Sequence, residues 1–269
     1  MGDTGRFEDR TAVVVGAGQT PGETIGNGRA ASLLYAREGA RVVAVDRDLS
    51  LAQATVDAIA AEGGTAIAVR ADATAESEVR SALDETVERW GRLDILHNNV
   101  GVSLAGGDAV LEEITADAFD RVTAINLRSM VLACKHAIPI MRSQGGGVVT
   151  NIASVAAIID YPYISYQTSK AGVITLTRNL AIRHAADGIR ANAILPGLMD
   201  TPMAIESRVT AGTDREDVRA GRNSQVPLGG RMGTAWDVAH AAAFLASDDA
   251  GFITGVALPV DGGQALKIG

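Results

Sequence analysis

The chain has 269 residues, 47% of them hydrophobic and 21% charged, with a formal net charge of −8. That length and apolar content suit a globular protein with a substantial core and exclude a disordered one. The acidic balance argues against duplex nucleic acid as a partner, which needs a basic face. A single cysteine, Cys134, permits no intramolecular disulfide and fits a reducing, cytoplasmic setting. It lies in an apolar helical stretch, where a small buried hydrophobe is expected. The opening MGDTGRFEDR has no apolar run, so no secretory leader is expected, and Arg6 stands where a myristoylation site needs Ser or Thr. The longest weakly charged run, 145–159, is too short and too polar to span a bilayer.

In chain order, strands are predicted over 12–15, 41–45, 66–70, 93–96, 147–151, 190–195 and 256–259. Helices are predicted over 26–38, 49–61, 76–90, 116–142, 165–186 and 235–245. Most strand segments are continuous apolar runs, the pattern of parallel strands covered on both faces. Repeated β-α-β units predict an α/β, doubly wound, parallel sheet of about seven strands with helices on both faces. No internal repeat or linker divides the chain, so residues 1–269 read as one domain. Residues 198–232 are polar and punctuated by Gly and Pro, and read as a mobile excursion beside the site. Pro139, inside the 116–142 helix, is expected to kink it.

The first strand runs into a glycine-rich stretch, VGAGQTPGETIGNGRA, residues 15–30. Strand, glycine turn and helix start in that order can hold a pyrophosphate, because backbone N–H groups at a helix start carry partial positive charge and glycine lets the chain lie close against it. Gly16 and Gly18 begin a G-x-G-x-x-G pattern, but Pro21 stands at its third position. Gly22, Gly26 and Gly28 fit a second register, G-x-x-x-G-x-G, so the turn reads as carrying about six extra residues near 19–24. Which of Gly16, Gly18 or Gly22 serves as the first glycine stays open. The second strand ends at Asp46, whose carboxylate can accept ribose hydroxyls and would repel a 2′-phosphate, favouring NAD over NADP. Arg47 beside it points the other way.

The segment SYQTSK, 165–170, places Tyr166 and Lys170 four apart on one helix face. An ammonium beside a phenol lowers its pKa and lets it exchange a proton with a hydroxyl or carbonyl. With these residues in view, the chain resembles the short-chain dehydrogenase/reductase family over nearly its whole length. The matching pieces are the glycine turn, Asp46, Asp72 in RADAT, NNVG at 98–101, Asn126 in INL, Ser154 in NIAS, Tyr166-x-x-x-Lys170, Pro196-Gly197 with Thr201, and VDGG at 260–263. The resemblance implies a Rossmann fold and interconversion of a secondary alcohol and a ketone with NAD(P). It implies Tyr166 as acid/base and Lys170 as the group that tunes it and holds the nicotinamide ribose. Ser154 would stabilise the reacting oxygen, and Asn126 would position a water leading from Lys170 to solvent. Asp72 and Ala73 would meet the adenine, Asn98 and Gly101 the adenosine ribose, and Pro196, Gly197 and Thr201 the nicotinamide. No metal is implied. A homotetramer is, built through the helices at 116–142 and 165–186 and the C-terminal strand. Val15 departs from the family's usual Thr, and NNVG from NNAG.

Two other readings compete. Tyr163 lies seven residues before Lys170, the spacing of enoyl-thioester reductases, and a non-catalytic dinucleotide-binding regulator would use the same fold. Ser154, Asn126 and Tyr166 together favour the alcohol/ketone reading. Substrate-facing candidates include Ser103, Ile158, Tyr163 and Met203. The set is apolar with no Arg or Lys to clamp an anion, which predicts a lipophilic or cyclic substrate. The four histidines show no metal-ligand spacing, and His97 is expected to pack rather than touch cofactor.

Overall fold

The computed structural model describes residues 5–209 and 214–267. In chain order the elements are β1 (Thr11–Val15), α1 (Asn27–Arg37), β2 (Arg41–Asp46), α2 (Leu49–Ala61), β3 (Thr65–Arg70), α3 (Glu76–Trp90), β4 (Ile95–Asn98), α4 (Ala116–Thr123), a π turn (Ala124–Arg128), α5 (Ser129–Ser143), β5 (Gly147–Ile152), α6 (Ile164–His184), β6 (Ile189–Pro196), β7 (Met199–Asp200), α7 (Pro202–Glu206), α8 (Arg215–Asn223), β8 (Gly233–Thr234), α9 (Ala235–Ala246) and β9 (Ala257–Val260). Seven strands form one sheet in the order β3-β2-β1-β4-β5-β6-β9, with every neighbouring pair parallel. The strand order reverses between β1 and β4, and the crevice beyond their carboxyl ends is where such sheets take ligands.

Alternation within each strand explains the two layers. Ala12, Val14, Val42 and Ala44 turn to one face and pack with Ala30, Leu33 and Leu34 of α1, Ala52 and Ile59 of α2, and Val238 and Ala242 of α9. Val13, Val15, Val43 and Val45 turn to the other and pack with Val79 and Leu83 of α3 and Cys134, Ile138 and Met141 of α5. Strands buried on both sides need apolar residues at every position, hence the continuous runs. His97 belongs to the first layer. Its Nδ1 lies 3.1 Å from the Tyr35 hydroxyl, and burial pulls the imidazole down to about 4, so it is a neutral packing residue.

Three expectations change. The fourth strand runs Ile95–Asn98 rather than 93–96, which places Asn98 inside the sheet. The 116–142 helix is interrupted by the π turn, while α5 continues through Pro139. The break thus lies at Asn126, where an inserted residue re-aims a buried side chain. The 198–232 excursion contains two helices and a short parallel pair, Met199↔Gly233 and Asp200↔Thr234, which ties its two ends together. Residues 210–213 of it lie outside the described residues. No described helix is long and apolar enough to cross a membrane.

Candidate active site

The glycine turn is closed by Gly16 and Gly28. Gly16 follows β1 directly at φ +86, a conformation that favours glycine, and its N–H donates to the Val45 carbonyl at 2.8 Å. A Cβ on Gly28 would collide with the Gly16 carbonyl oxygen and the Asn99 amide. That close approach of α1 to the strand end fixes the first and last glycines. Gly26 is the N-cap of α1, which has no side-chain cap and no acidic residue in its first turn, leaving its first N–H groups for an anion. Gly22 stands apart: a Cβ there would press on the Pro202 side chain of α7 at 2.8 Å, so the register starting at Gly22 is not the one that folds. The extra residues instead lean on the 198–232 segment, with Glu23 at 3.0 Å from Arg219. Asp46 ends β2, and its Oδ2 accepts the Gly18 N–H at 3.0 Å, which puts the carboxylate on the rim of the turn.

Further along the crevice, Asp72 accepts both the Thr74 N–H (2.8 Å) and hydroxyl (2.7 Å), which hold it below the usual carboxylate range, and Ala73 follows it, buried. Asn98 differs from expectation. Its amide donates to Asn151 Oδ1 at 2.8 Å inside the sheet, because strand alternation turns it to the α5 side, so only its backbone borders the crevice. The next residue, Asn99, is the one whose side chain reaches the turn, donating to the Gly16 carbonyl at 2.9 Å. A Cβ on Gly101 would sit 3.2 Å from Lys170 Nζ. Pro196 ends β6, the Gly197 N–H donates to the Val260 carbonyl at 3.0 Å, and buried Thr201 is the N-cap of α7.

Ser154, Tyr166 and Lys170 come together where β5 meets α6. Lys170 is buried, its Nζ donates to the Ile152 carbonyl at 2.7 Å and lies 5.7 Å from the centre of the Tyr166 ring. Ser154 lies beside the Tyr166 phenol and favours its ionised form, and its Oγ accepts the Ala156 N–H at 3.2 Å. Tyr163 instead packs its ring on Tyr161, with centres 5.5 Å apart. The electrostatics overturn one expectation. Burial pushes Tyr166 up to about 12, with Ser154 opposing, and the same burial pulls Lys170 down to about 7. Desolvation therefore outweighs any lowering of the phenol by the amine in this state. Asn126 Oδ1 accepts the Val102 N–H at 2.8 Å, and its Nδ2 donates to the Val102 carbonyl (2.9 Å) and Ser169 Oγ (3.1 Å), so both of its N–H donors are taken.

The sequence reading missed two features. Buried Asp108 accepts the Ser165 and Tyr166 N–H groups at 3.0 and 2.9 Å, capping α6 at its catalytic end, and the Ser103 hydroxyl at 3.2 Å. An acidic residue 57 positions before the helix it caps leaves no local signature. Arg208 and Arg222 both act electrostatically on Tyr166, so the pocket is not free of cations as expected. Among the expected substrate-facing residues, Ser103 lies near Tyr161, whose ring centre is 5.6 Å from that of Tyr166. Ile158 and Met203 are about half exposed, at 54% and 48%, and stand on the rim.

Comparison with known proteins agrees with this geometry. A family model described as Enoyl-(Acyl carrier protein) reductase matches residues 23–265. The cis-4-hydroxycyclohexanecarboxylate dehydrogenase of Sinomonas cyclohexanicum is 39% identical over 261 residues, covering 96% of this chain and 97% of its own. A Burkholderia xenovorans crystal structure described as a short-chain dehydrogenase/reductase superposes with TM-score 0.92 at 38% identity, covering 98% of this chain and all of its own. A 7α-hydroxysteroid dehydrogenase complexed with NADH and 7-oxo glycochenodeoxycholic acid superposes with TM-score 0.86 at 32% identity, covering 98% and 97%. The chain belongs to the short-chain dehydrogenase/reductase family.

Proposed function

We propose that this protein is a cytoplasmic, NAD-preferring dehydrogenase/reductase that interconverts a ring-borne secondary alcohol and its ketone. Its relatives make it an oxidoreductase acting on hydroxyl and keto groups. The observation that carries the reading is the convergence of Ser154, Tyr166 and Lys170 beside an uncapped helix N-terminus at the sheet's switch point. The crevice fits a dinucleotide: Gly16 and Gly28 clear the backbone, α1 offers free N–H groups to a pyrophosphate, and Asp46 stands where ribose hydroxyls need an acceptor. Gly26 completes that turn, while Asp72, Ala73, Gly101 and the Asn98 backbone would line the adenosine side. Pro196, Gly197 and Thr201 would hold the carboxamide end. When bound, the nicotinamide accepts or supplies the hydride.

The protein's own part is to hold and move a proton. Ser154 donates to the substrate oxygen, and Tyr166 takes the hydroxyl proton in oxidation or gives it in reduction. Lys170 passes that proton on. With the Asn126 amide occupied, its backbone carbonyl at the π turn is the group left to hold a water on that path. Tyr166 rather than Tyr163 serves, because Lys170 and Ser154 face Tyr166 and the recorded ring contact of Tyr163 is with Tyr161. The ring preference is supported by the cyclohexane and steroid substrates in the names of two similar proteins. Exposed Ile182 on α6 and exposed Val131 on α5 support a homotetramer through these helices.

The test is a panel of cyclic alcohols and ketones assayed by cofactor absorbance with NAD and NADP. Turnover of cyclic members with NAD is expected; turnover confined to open-chain enoyl thioesters would contradict it. Asp46→Ala is expected to narrow the preference for NAD about tenfold or more, through loss of a charge-assisted hydrogen bond; an unchanged preference would remove Asp46 as the ribose ligand.

A further inference from the structure

Arg219 and Arg222 lie three residues apart on α8 and are treated differently. Arg219 is surrounded by carboxylates: Glu23 and Glu216 at 3.0 Å and Asp200 at 3.4 Å. That is how a structural arginine is satisfied. Arg222 is half-buried and, among the described residues, has no carboxylate within ion-pair distance. Its one recorded bond runs from Nε to the sulfur of buried Met232 at 3.2 Å, a weak acceptor for a group with five donors. Arg208, just past α7, is similar. Its Nη1 donates to the Ala204 carbonyl at 2.8 Å and Ser207 Oγ at 3.3 Å, and no acidic partner is recorded among the described residues.

The charges of both arginines are felt at the tyrosines of the site. Arg208 acts on Tyr161, both arginines act on Tyr166, and the two repel one another. Asp200 is a counter-charge felt at Arg222, and it is already engaged by Arg219. Burial and Arg208 pull Arg222 down to about 10, the cost of holding a cation in a dry place without a partner. Two neighbouring cations with spare donors, beside the group that would touch the substrate, are incomplete without an anion.

We propose that Arg208 and Arg222 form an anion subsite, so that the ring alcohol or ketone taken by this crevice carries a carboxylate on the side facing α8. This rests on the alcohol/ketone reading and narrows it, replacing the expectation of an uncharged lipophilic substrate. The ring lies over the tyrosines, and the carboxylate bridges the two guanidiniums.

The test compares 3- and 4-hydroxycyclohexanecarboxylates with their methyl esters as substrates of the NAD-loaded enzyme. The acid is expected to exceed the ester in kcat/KM by about tenfold or more, chiefly through KM, and the ratio falls as ionic strength rises. In Arg208→Gln and Arg222→Gln the acid-to-ester ratio drops about threefold each, and in the double variant it approaches one. Arg222→Lys, which keeps the charge and loses the planar fork, retains part of the preference and controls for a folding defect. Equal use of acid and ester by the wild type, or a preference that survives the double substitution, would overturn the proposal. If esters alone turn over, the ring-alcohol reading stands and the anion subsite falls. If neither turns over, calorimetry with the NADH-loaded enzyme decides. Tighter binding of cyclohexanecarboxylate than of cyclohexanecarboxamide, lost in the double variant, sustains the subsite, and equal binding refutes it.

Discussion

The β1–β6 frame and the 198–232 segment put charge to opposite uses. In the frame, ionisable groups near the site are dried out: Lys170, held by the Ile152 carbonyl, is pulled down to about 7, and Tyr166 is pushed up to about 12. In the segment, charges meet in clusters, Arg215 with Glu206 at 2.9 Å and Arg219 with three carboxylates, while Arg208 and Arg222 stand without an acidic partner among the described residues. The frame sets protonation and the segment sets electric field. A site between them can tune a phenol by burial on one side and by cations on the other.

The contrast is sharpest at Lys170. Its folded value of about 7 lies below its ordinary 10.5, so between those values the unfolded chain holds the proton more tightly and stability rises with pH. At pH 7 the fold therefore carries a cost of about 4 kcal/mol that vanishes above pH 10.5. Lys170→Met is expected to reduce turnover by about a hundredfold or more. The same variant should unfold at higher denaturant at pH 7, by roughly 1–3 kcal/mol, with the gain shrinking toward pH 10. A variant less stable than wild type at pH 7 would mean the amine is not desolvated.

Asp108 tests whether the frame positions Tyr166. Asp108→Ala removes two helix-end contacts and is expected to lower kcat about a hundredfold through misplacement, and stability by about 1–2 kcal/mol. KM for the cofactor should hold. Asp108→Asn, which keeps one acceptor and sets its NH2 against the other N–H, should recover only part of the loss, and the pH profile should shift in Ala more than in Asn. A stability loss with unchanged kcat would make Asp108 a cap and nothing more. The smallest effect belongs to the segment's surface. Glu23→Ala is expected to cost under about 1 kcal/mol, screened by salt, because its partner Arg219 keeps two other carboxylates.

The frame was legible because its strands are mostly continuous apolar runs, Tyr166 and Lys170 because they lie four apart on one helix, and Ser154 through the family resemblance. What escaped the sequence depends on orientation or distance. Two residues of error in β4 were enough to hide that Asn98 pairs with Val15 in the sheet and that Asn99 reaches the turn. The π turn leaves no periodic trace, since one extra residue re-aims Asn126 without breaking the apolar pattern. The glycine register could not be chosen from spacing, because Gly22 and Gly16 differ in backbone conformation and in what a Cβ would strike. Glu23 and Arg219 are 196 positions apart, and Arg208 and Arg222 sit in the polar, Gly- and Pro-punctuated 198–232 stretch, whose spacing marks no site.

The central claim is that Tyr166, not Tyr163, carries the proton. The direct measurement is steady-state oxidation of a cyclic alcohol by wild type, Tyr166→Phe and Tyr163→Phe, with NADH binding titrated in each. The account predicts a loss of about a thousandfold in kcat for Tyr166→Phe with cofactor affinity retained, and a loss within about threefold for Tyr163→Phe. Full activity in Tyr166→Phe together with its collapse in Tyr163→Phe would contradict it.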